Sequence, residues 1–531
     1  MPDLYAAEFN YKIVNDPIYG CINLSKTEVQ LLDTRAMQRL RRIRQMGFAS
    51  YVFPSGEHSR FVHSLGVLCI MGKMCEHLYR QYSDKGGSTV CFTIDDARKV
   101  RIAALLHDVG HFPFSHLSEC VYSYIDNVKT TDEMVDGLDT LVDENIYLLG
   151  DIANFKKRKA KDHEHMGAEV VRKDPEIVAI LKKADISPEE IGQIIIGDTQ
   201  AKPIYAQLLH SSLDADRLDY LLRDSRQAGV SFGNVELEYI LRQLRIKSCT
   251  LHRDSGAEEA IDLVVFDIRG QHSIEHFLMA RYFHYTQVVQ HKTSSAFEAI
   301  AKALEYKVLT TMTTQYRTYD NIADLIGTDA FYQYTDDYMW ETIRAYCEKS
   351  EDPYIVALWE CLSQRKKPTH VLTLTDIVPK VAANSVANPV NDSVYLLTKW
   401  LIQNMHKELA EETEIDPAYI GFVEAKVNLE SIPSHLRAED CSLDKFPDDI
   451  RGAIRIVDKE ERISFLASDN KSLINKMVDF TSNTLDIFII GDVNAEKAEA
   501  LKKAIPMLKA QGYEFRRIEE KYETAGRSEI S

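Results

Sequence analysis

Apolar residues recur three and four positions apart over most of residues 28–345, with few stretches in which apolar and polar residues alternate. This spacing places apolar side chains along one face of a helix. A chain of 531 residues with this pattern is long enough for its helices to bury a large core. The pattern predicts a mainly α-helical protein.

The pattern changes towards the C-terminal end. Charge and proline near residues 345–370 mark a soft boundary, and beyond it three stretches are typical of strands: AYIGFVEAKV, GAIRIVDKEERISFLA and TLDIFIIG. The stretch NAEKAEALKKAIPMLKA predicts a closing helix. We expect a helical core over residues 1–345 and a small α/β region with a regulatory or oligomerisation role over residues 346–531.

Residues 127–162 interrupt the helical core with an acidic half followed by the basic run KKRKAK. We expect a solvated surface insertion here, and a patch that binds nucleic acid is the alternative. The formal net charge of −18 makes the surface as a whole repel a polyanion, so nucleic-acid binding is possible but not favoured.

The cysteine content and the hydropathy of the sequence indicate the cellular compartment in which the protein is expected. Nine cysteines without a CxxC pair provide neither a disulfide framework nor a zinc ribbon, which favours a reducing cytoplasm. The N-terminal residues lack a signal-peptide pattern, and no apolar run approaches the roughly 18 residues of a membrane-spanning helix. We expect a soluble cytoplasmic protein without a membrane partner.

The stretch LLHDVGHFPFSH concentrates three histidines and an aspartate directly after an apolar helical run. His107 falls on the apolar face of that run, and His63 is in phase with the apolar residues that follow it. Asp216 falls in a stripe with Leu209 and Leu213, where a core leucine is usual. Buried ionisable groups are costly unless they are paired or bind a metal.

A single inward histidine is more often a hydrogen-bonded core residue than a metal ligand. The combination of His63, His107, Asp108 and Asp216 changes this interpretation, because together they offer mixed imidazole and carboxylate ligands. Such a set suits one divalent transition metal, namely Mn, Fe, Co, Ni or Zn. The order H…HD…D is that of the HD phosphohydrolase superfamily, although this pattern alone is only moderately specific.

Longer motifs indicate which branch of this superfamily the chain resembles. They are, in chain order, VNDPIYG, RLRRIRQMG, YVFPSGEHSRFVHSLGV, LLHDVGHFPFSH, DHEHMG and LDADRLDYLLRD. Over about residues 11–300 the chain resembles the HD-domain deoxynucleoside triphosphate triphosphohydrolases, in particular the mammalian type that adds a SAM domain, which is not expected here. The resemblance implies metal-dependent release of inorganic triphosphate from dNTPs, with Mg accompanying the nucleotide.

Proton transfer requires a further group. Histidine is the side chain best suited to it near neutral pH, and the candidates are His111, His116 and His163. The resemblance implies that His163 is the catalytic histidine and that a carboxylate orients it. That carboxylate is Glu119, where the family has the shorter aspartate.

The resemblance also implies residues that bind the substrate. Those expected to contact phosphates are Arg60, Arg217 and Arg281, of which Arg217 replaces a lysine. Those expected near the sugar are Gln45, Met46, Tyr220, Asp224, Val289 and Gln290. Val289 stands where the family has a tyrosine that helps to exclude a 2′-hydroxyl, which leaves the preference for deoxyribonucleotides open.

An activator site is implied by residues that bind nucleotides between subunits in the family. They are Lys12, Asn15, Asp33, Gln38, Arg41, His291 and Lys292. The resemblance implies a homotetramer stimulated by GTP or dGTP. Spacing alone favours another interpretation of the segment QRLRRIRQ, an exposed basic helix with ordinary ion pairs, and the match of these residues to the family reverses that preference. Cys21, where the family has histidine, is a departure that bears on activation.

Two other functions stay open. One is an HD phosphatase or phosphodiesterase that acts on another nucleotide, which its products would reveal. The other is a protein that senses nucleotides or binds nucleic acid and uses the HD site structurally, for which the run KKRKAK is the positive sign.

Overall fold

A computed structural model describes residues 4–83, 90–132, 148–154, 162–199, 202–252, 258–379, 413–428, 452–491 and 495–505. The basic run KKRKAK and the end of the predicted closing helix lie outside the described residues. Within the described ranges, no helix is both long and apolar enough to cross a membrane.

The fold is mainly α-helical, as predicted. The helices of its first half are α1 Leu4–Glu8, α2 Lys26–Leu32, α3 Arg35–Arg39, α4 Arg60–Tyr82, α5 Ile94–Leu106, α6 His116–Asp132, α7 Leu148–Asn154, α8 His163–Lys173, α9 Pro175–Lys183, α10 Pro188–Ile195, α11 Pro203–His210, α12 Ala215–Ala228 and α13 Leu237–Arg242. Those of its second half are α14 Gln271–His284, α15 Lys292–Thr311, α16 Tyr319–Asp324, α17 Asp329–Gln333, α18 Asp336–Cys347, α19 Pro353–Ser363 and α20 Leu473–Met477. A π-helical turn, Tyr285–Val289, joins α14 to α15.

Helix α4 lies at the centre of the main core and packs against α5 and α12. Its apolar residues Val67, Leu68 and Ile70 are fully buried. Gly66 permits the close approach of α12, since a Cβ at this position would lie 1.9 Å from an oxygen of Asp219. The long buried helix therefore holds His63, on its first turns, against the carboxylates of α12.

The strands form three sheets. They are β1 Lys12–Asp16, β2 Gly20–Leu24, β3 Leu244–His252, β4 Glu258–Asp267, β5 Thr369–Pro379, β6 Ile420–Val427, β7 Arg455–Val457, β8 Ile463–Phe465 and β9 Phe480–Ile489. The sheet orders are β1-β2, β3-β4-β7-β8 and β5-β9-β6. Strands β6 to β9 occur where the sequence predicts strands, and residues 495–505 are helical as expected.

The expectation of a helical core over residues 1–345 is wrong at the β1-β2 hairpin and at the longer β3-β4 hairpin. The sequences of the longer hairpin, LRIKSCTLH and EEAIDLVVFD, contain β-branched residues and a partial alternation that favour strands. Strand β4 then pairs in parallel with β7, with Phe266 opposite Ile456. The division at residue 345 stays a prediction, but this pairing joins the two proposed regions in one sheet.

The insertion over residues 127–162 is not solvated throughout. Helix α7 lies inside it and contacts both α15 and β6. Leu148, Leu149 and Ile152 are buried in the main core. The apolar face of α7 accounts for this difference, because burying three large aliphatic side chains is more favourable than exposing them.

Candidate functional site

A cavity of about 480 Å³ opens where α4, α6, α12 and α15 meet. Most of the residues predicted to act on a substrate line it: Gln45, Met46, Arg60, Asp108, His111, His116, His163, Asp216, Arg217, Tyr220, Asp224 and Val289. His63, His107 and Glu119 contact these residues from behind. The fold therefore gathers the predicted metal, catalytic and sugar-contacting residues around one space.

His63 and Asp216 form the centre of the candidate metal group. The Nε2 atom of His63 lies 2.9 Å from a carboxylate oxygen of Asp216. On the other side of the ring, Nδ1 lies 2.8 Å from Asp219. This second contact fixes the imidazole so that Nε2 faces the site, as carboxylates that bond the other ring nitrogen of a histidine ligand commonly do.

His107 comes directly after the last residue of α5 and is buried. Its Nδ1 donates to the carbonyl oxygen of Ala104 at 2.8 Å, so Nε2 is left as an acceptor. That Nε2 lies 3.3 Å from Asp108 and 3.9 Å from Asp216 but, among the described residues, has no hydrogen-bond partner. An unpaired buried acceptor beside two carboxylates is suited to a cation.

The expectation that Asp216 occupies a core position is wrong. Its side chain is 34% exposed. Helix α12 begins at Ala215 with Asp214 as its N-cap, so Leu209 belongs to the preceding helix and the stripe is not continuous. Asp216 instead lies in the first turn of α12 and faces the cavity, where a carboxylate can reach a ligand.

One divalent ion fits this group. Nitrogen atoms of His63 and His107 and an oxygen of Asp216 all lie within 4.8 Å of one another. Burial opposes a charge on His63, yet the carboxylates of Asp216 and Asp219 raise its pKa to about 10. The local field therefore favours positive charge, and the donors are those that borderline divalent transition metals accept.

A second cluster lies beside the first and consists of His111, His116, Glu119 and His163. The Nδ1 atom of His163 lies 2.8 Å from Glu119, and that of His116 lies 3.2 Å from the same oxygen. By distance alone this cluster could also hold an ion. Glu119 is the predicted orienting carboxylate, and its longer side chain does reach His163.

The pKa values of the two inner histidines of this cluster, His111 and His163, are shifted in opposite directions. Burial, Arg60 and His163 together hold the pKa of His111 well below its usual value. Burial also opposes protonation of His163, but Glu119 more than compensates and raises its pKa. His163 is therefore the better proton donor of the two.

The loop between α5 and α6 holds these groups in place through an uncommon backbone conformation. Phe114 and Ser115 both have left-handed φ values, 55° and 61°. The backbone nitrogen of Phe114 donates to Asp336 at 2.7 Å, and the hydroxyl of Ser115 accepts from Arg60 at 2.7 Å. Such conformations persist where the surroundings fix them, which is common at functional sites.

The three arginines predicted to bind phosphate have different surroundings. Arg60 donates to Asp108 at 2.8 Å and lines the cavity. Arg217 also lines it and is paired with Asp214. Arg281 is buried and donates to the carbonyl oxygen of Ser212 at 3.2 Å, outside the cavity lining. Its predicted role stays a prediction.

The sugar-contacting set is mostly in the cavity wall. Asp224 is held by His58, with 2.8 Å between Nε2 and the carboxylate. Gln290 lies outside the lining, and its amide donates to the carbonyl oxygen of Lys426 at 3.4 Å. Val289 lies in the lining.

The predicted activator residues lie on several elements. Lys12 and Asn15 are on β1, Asp33 ends α2, Gln38 lies in α3, Arg41 follows α3, and His291 and Lys292 begin α15. The side chains of Gln38 and Arg41 are hydrogen bonded at 2.7 Å.

The alternative of an exposed basic helix with ordinary ion pairs describes the segment QRLRRIRQ only in part. Arg41, Arg42 and Arg44 are exposed, and the last two form surface ion pairs. Arg39 is buried, and its guanidinium donates to the carbonyl oxygen of His111 at 2.6 Å. Arg39 thus bonds the segment to the loop between α5 and α6 that carries His111.

Several residues of the site were missed from sequence. They are His58, Ser115, Glu164, Asp219, Tyr285, Glu298 and Lys302. Asp219 could have been found, because it stands three residues after Asp216 on the same helix face. Glu298 and Lys302 carried no comparable signal, since charged residues on a long helix usually face solvent.

Residues 60–224 match the HD domain family. The uncharacterized protein YwfO of Bacillus subtilis is 30% identical over 293 residues, which are 54% of this chain and 54% of that protein. The deoxynucleoside triphosphate triphosphohydrolase SAMHD1 of Xenopus laevis is 29% identical over 251 residues, 44% of this chain and 37% of that protein. The chain thus spans about half the length, or less, of these curated relatives.

Solved structures share the fold. A phosphohydrolase from Bacteroides thetaiotaomicron aligns with a TM-score of 0.58 and 21% identity, over 90% of this chain and 99% of its own. A hypothetical protein from Aquifex aeolicus aligns with a TM-score of 0.60 and 22% identity, over 93% of this chain and 99% of its own. This chain therefore carries an HD domain over residues 60–224, within a mainly α-helical fold that both solved structures share.

Proposed function

We propose that this protein is a metal-dependent phosphohydrolase that converts dNTPs to deoxynucleosides and inorganic triphosphate. The observation that carries the proposal is a single cavity in which the metal group, the His163–Glu119 pair and two arginines meet. Similarity to a named deoxynucleoside triphosphate triphosphohydrolase supports the choice of substrate.

The group that the cavity would hold is one divalent transition metal, with Mg accompanying the nucleotide. His63, His107, Asp108 and Asp216 would hold the transition metal, whose general contribution is to polarise a phosphoryl oxygen and to acidify water. Arg60 and Arg217 offer forked donors to the negatively charged phosphates. Arg60 is already fixed by Asp108 and Ser115, so it needs little reorganisation to bind.

In the proposed reaction, a water oxygen forms a bond to the α-phosphorus and the bond from that phosphorus to the 5′ oxygen breaks. The water oxygen releases its protons to solvent and stays on the triphosphate, and the 5′ oxygen takes a proton from the protein. His163 donates this proton, because Glu119 raises its pKa and holds its Nδ1. His111, whose pKa is lowered, stays neutral beside it.

Regulation is part of the proposal. GTP or dGTP binds the residues around Gln38 and Arg41, stabilises a homotetramer and raises turnover of other dNTPs. Arg39 supports this, since it bonds the segment that precedes Arg41 directly to the carbonyl oxygen of His111. A cytoplasmic location fits a nucleotide substrate, and we propose it on that ground.

The test is product analysis. The full chain is incubated with each dNTP and NTP in the presence of Mn or Mg, and the products are separated by ion-exchange chromatography. Equal amounts of nucleoside and inorganic triphosphate are expected. Orthophosphate or a nucleoside monophosphate would instead indicate an HD phosphatase of another kind.

A further inference from the structure

Two charged residues of α15, Glu298 and Lys302, line the same cavity. They are four positions apart and so share one face of the helix. Their neighbours Phe297 and Ala301 are fully buried. Packing alone does not account for an acid and a base on the side of α15 that faces the cavity, because burial of charge is costly.

The two side chains are held differently. The ammonium of Lys302 donates to the carbonyl oxygen of Ala153 in α7 at 3.2 Å. Across the part of the chain that the structure describes, Glu298 has no hydrogen bond or ion pair. Burial raises the pKa of Glu298, and Lys302 opposes this change. A carboxylate in this position is an available acceptor that faces a ligand-sized space.

Apolar residues also line the cavity that contains this pair. Phe48, Phe114 and Leu117 belong to the same lining as Glu298 and Lys302. Ligand sites commonly combine apolar walls with a few polar groups that fix orientation. If phosphates occupy the arginine and histidine region, the flat and partly apolar base of the nucleotide is the part left for these walls.

We propose that Glu298 and Lys302 recognise the base of the substrate and favour guanine. Guanine presents two neighbouring donors, N1–H and the N2 amino group, which a carboxylate can bind with both oxygens, and an acceptor, O6, which an ammonium can bind. Thymine offers one donor between two acceptors, and adenine has no carbonyl. This inference rests on the proposed function for the position of the phosphates.

The test compares base preference in matched variants of the full chain. For Glu298→Gln and Lys302→Met, kcat/KM for dGTP divided by kcat/KM for dTTP should fall by about tenfold, the discrimination of one good bidentate pair. Glu341→Gln, an exposed acid on α18 that pairs with Arg344, is the control and should leave the ratio unchanged. An unchanged ratio in Glu298→Gln, or an equal loss for all dNTPs, would overturn the proposal.

A binding measurement separates this inference from the proposed reaction. Calorimetric titration with dGTP and dTTP in EDTA needs no turnover, and Arg41→Ala serves as the background so that guanine binding at the proposed activator segment is removed. If dGTP binds more tightly than dTTP and Glu298→Gln removes this difference, recognition of the base by Glu298 is supported even if no dNTP is hydrolysed. Equal binding of both nucleotides by the Arg41→Ala protein would refute it.

Discussion

The imidazole rings of His111 and His163 lie stacked, with centroids 3.8 Å apart and 13° between their planes. Two positive rings at this distance would repel strongly in a buried site. The surrounding groups resolve the conflict, because burial and Arg60 keep His111 neutral whereas Glu119 favours a proton on His163. The pair therefore favours a single positive charge, on the ring of His163.

His163→Ala should lower turnover by roughly 10²-fold or more while metal content is unchanged, because the proton donor is lost but His63 and His107 remain. Elemental analysis and steady-state kinetics on the same preparation provide the check. Loss of the metal together with activity would place His163 among the ligands instead.

Glu119→Gln tests the direction of the His163 pKa. Glu119 raises this pKa, so the protonated donor persists to higher pH and activity should decline as pH rises through the raised value. Without the negative charge, the decline should begin at lower pH. A pH profile of kcat for the two proteins is the measurement, and superimposable profiles would contradict the assignment.

His107→Ala combined with Asp108→Ala should release the metal and abolish hydrolysis. Most of the helical fold should remain, because α5 ends before these residues and its own apolar positions are untouched. Metal stoichiometry and far-ultraviolet circular dichroism are measured together. A variant that keeps both metal and activity would remove the basis of the proposed mechanism.

Asp219→Asn should weaken metal affinity by roughly 10- to 100-fold, since Asp219 holds the Nδ1 atom of His63. Tyr19→Phe is a matched control, because Tyr19 donates to Asp219 at 2.7 Å but does not touch His63. Competition with a chelator gives both affinities. Equal weakening in the two variants would point to general loss of packing.

Arg41→Ala should remove stimulation by GTP or dGTP and spare the metal. A nucleotide that binds only the assembled form favours assembly by mass action, so activity and oligomer size should rise together in the unaltered protein. Turnover and sedimentation are measured with and without the nucleotide. Equal activity in all four conditions would refute the activator site while leaving the hydrolase intact.

A structural feature could be predicted from the sequence where its residue pattern had a single physical explanation. The helical fold and the inward direction of His63 followed from the spacing of apolar residues, and the structure confirms both. The β3-β4 hairpin was missed because its alternation is incomplete. The apolar stripe puts Asp216 in the core only if one helix spans Leu209 and Asp216, whereas the N-cap Asp214 begins a new helix between them. The surroundings of Glu298 could not be predicted, because they depend on tertiary contacts that a local sequence pattern does not reveal.

The parallel pairing of β4 with β7 has a consequence for biosynthesis. Strand β4 leaves the ribosome long before Ile456 and Val457 do, yet these residues form its second neighbour. Pairing between strands so distant along the chain is entropically costly and slow to form. Until it forms, β4 exposes an unpaired edge, which is the kind of surface through which nascent chains associate. Chaperone dependence during synthesis should therefore concentrate on the interval between translation of β4 and translation of β7.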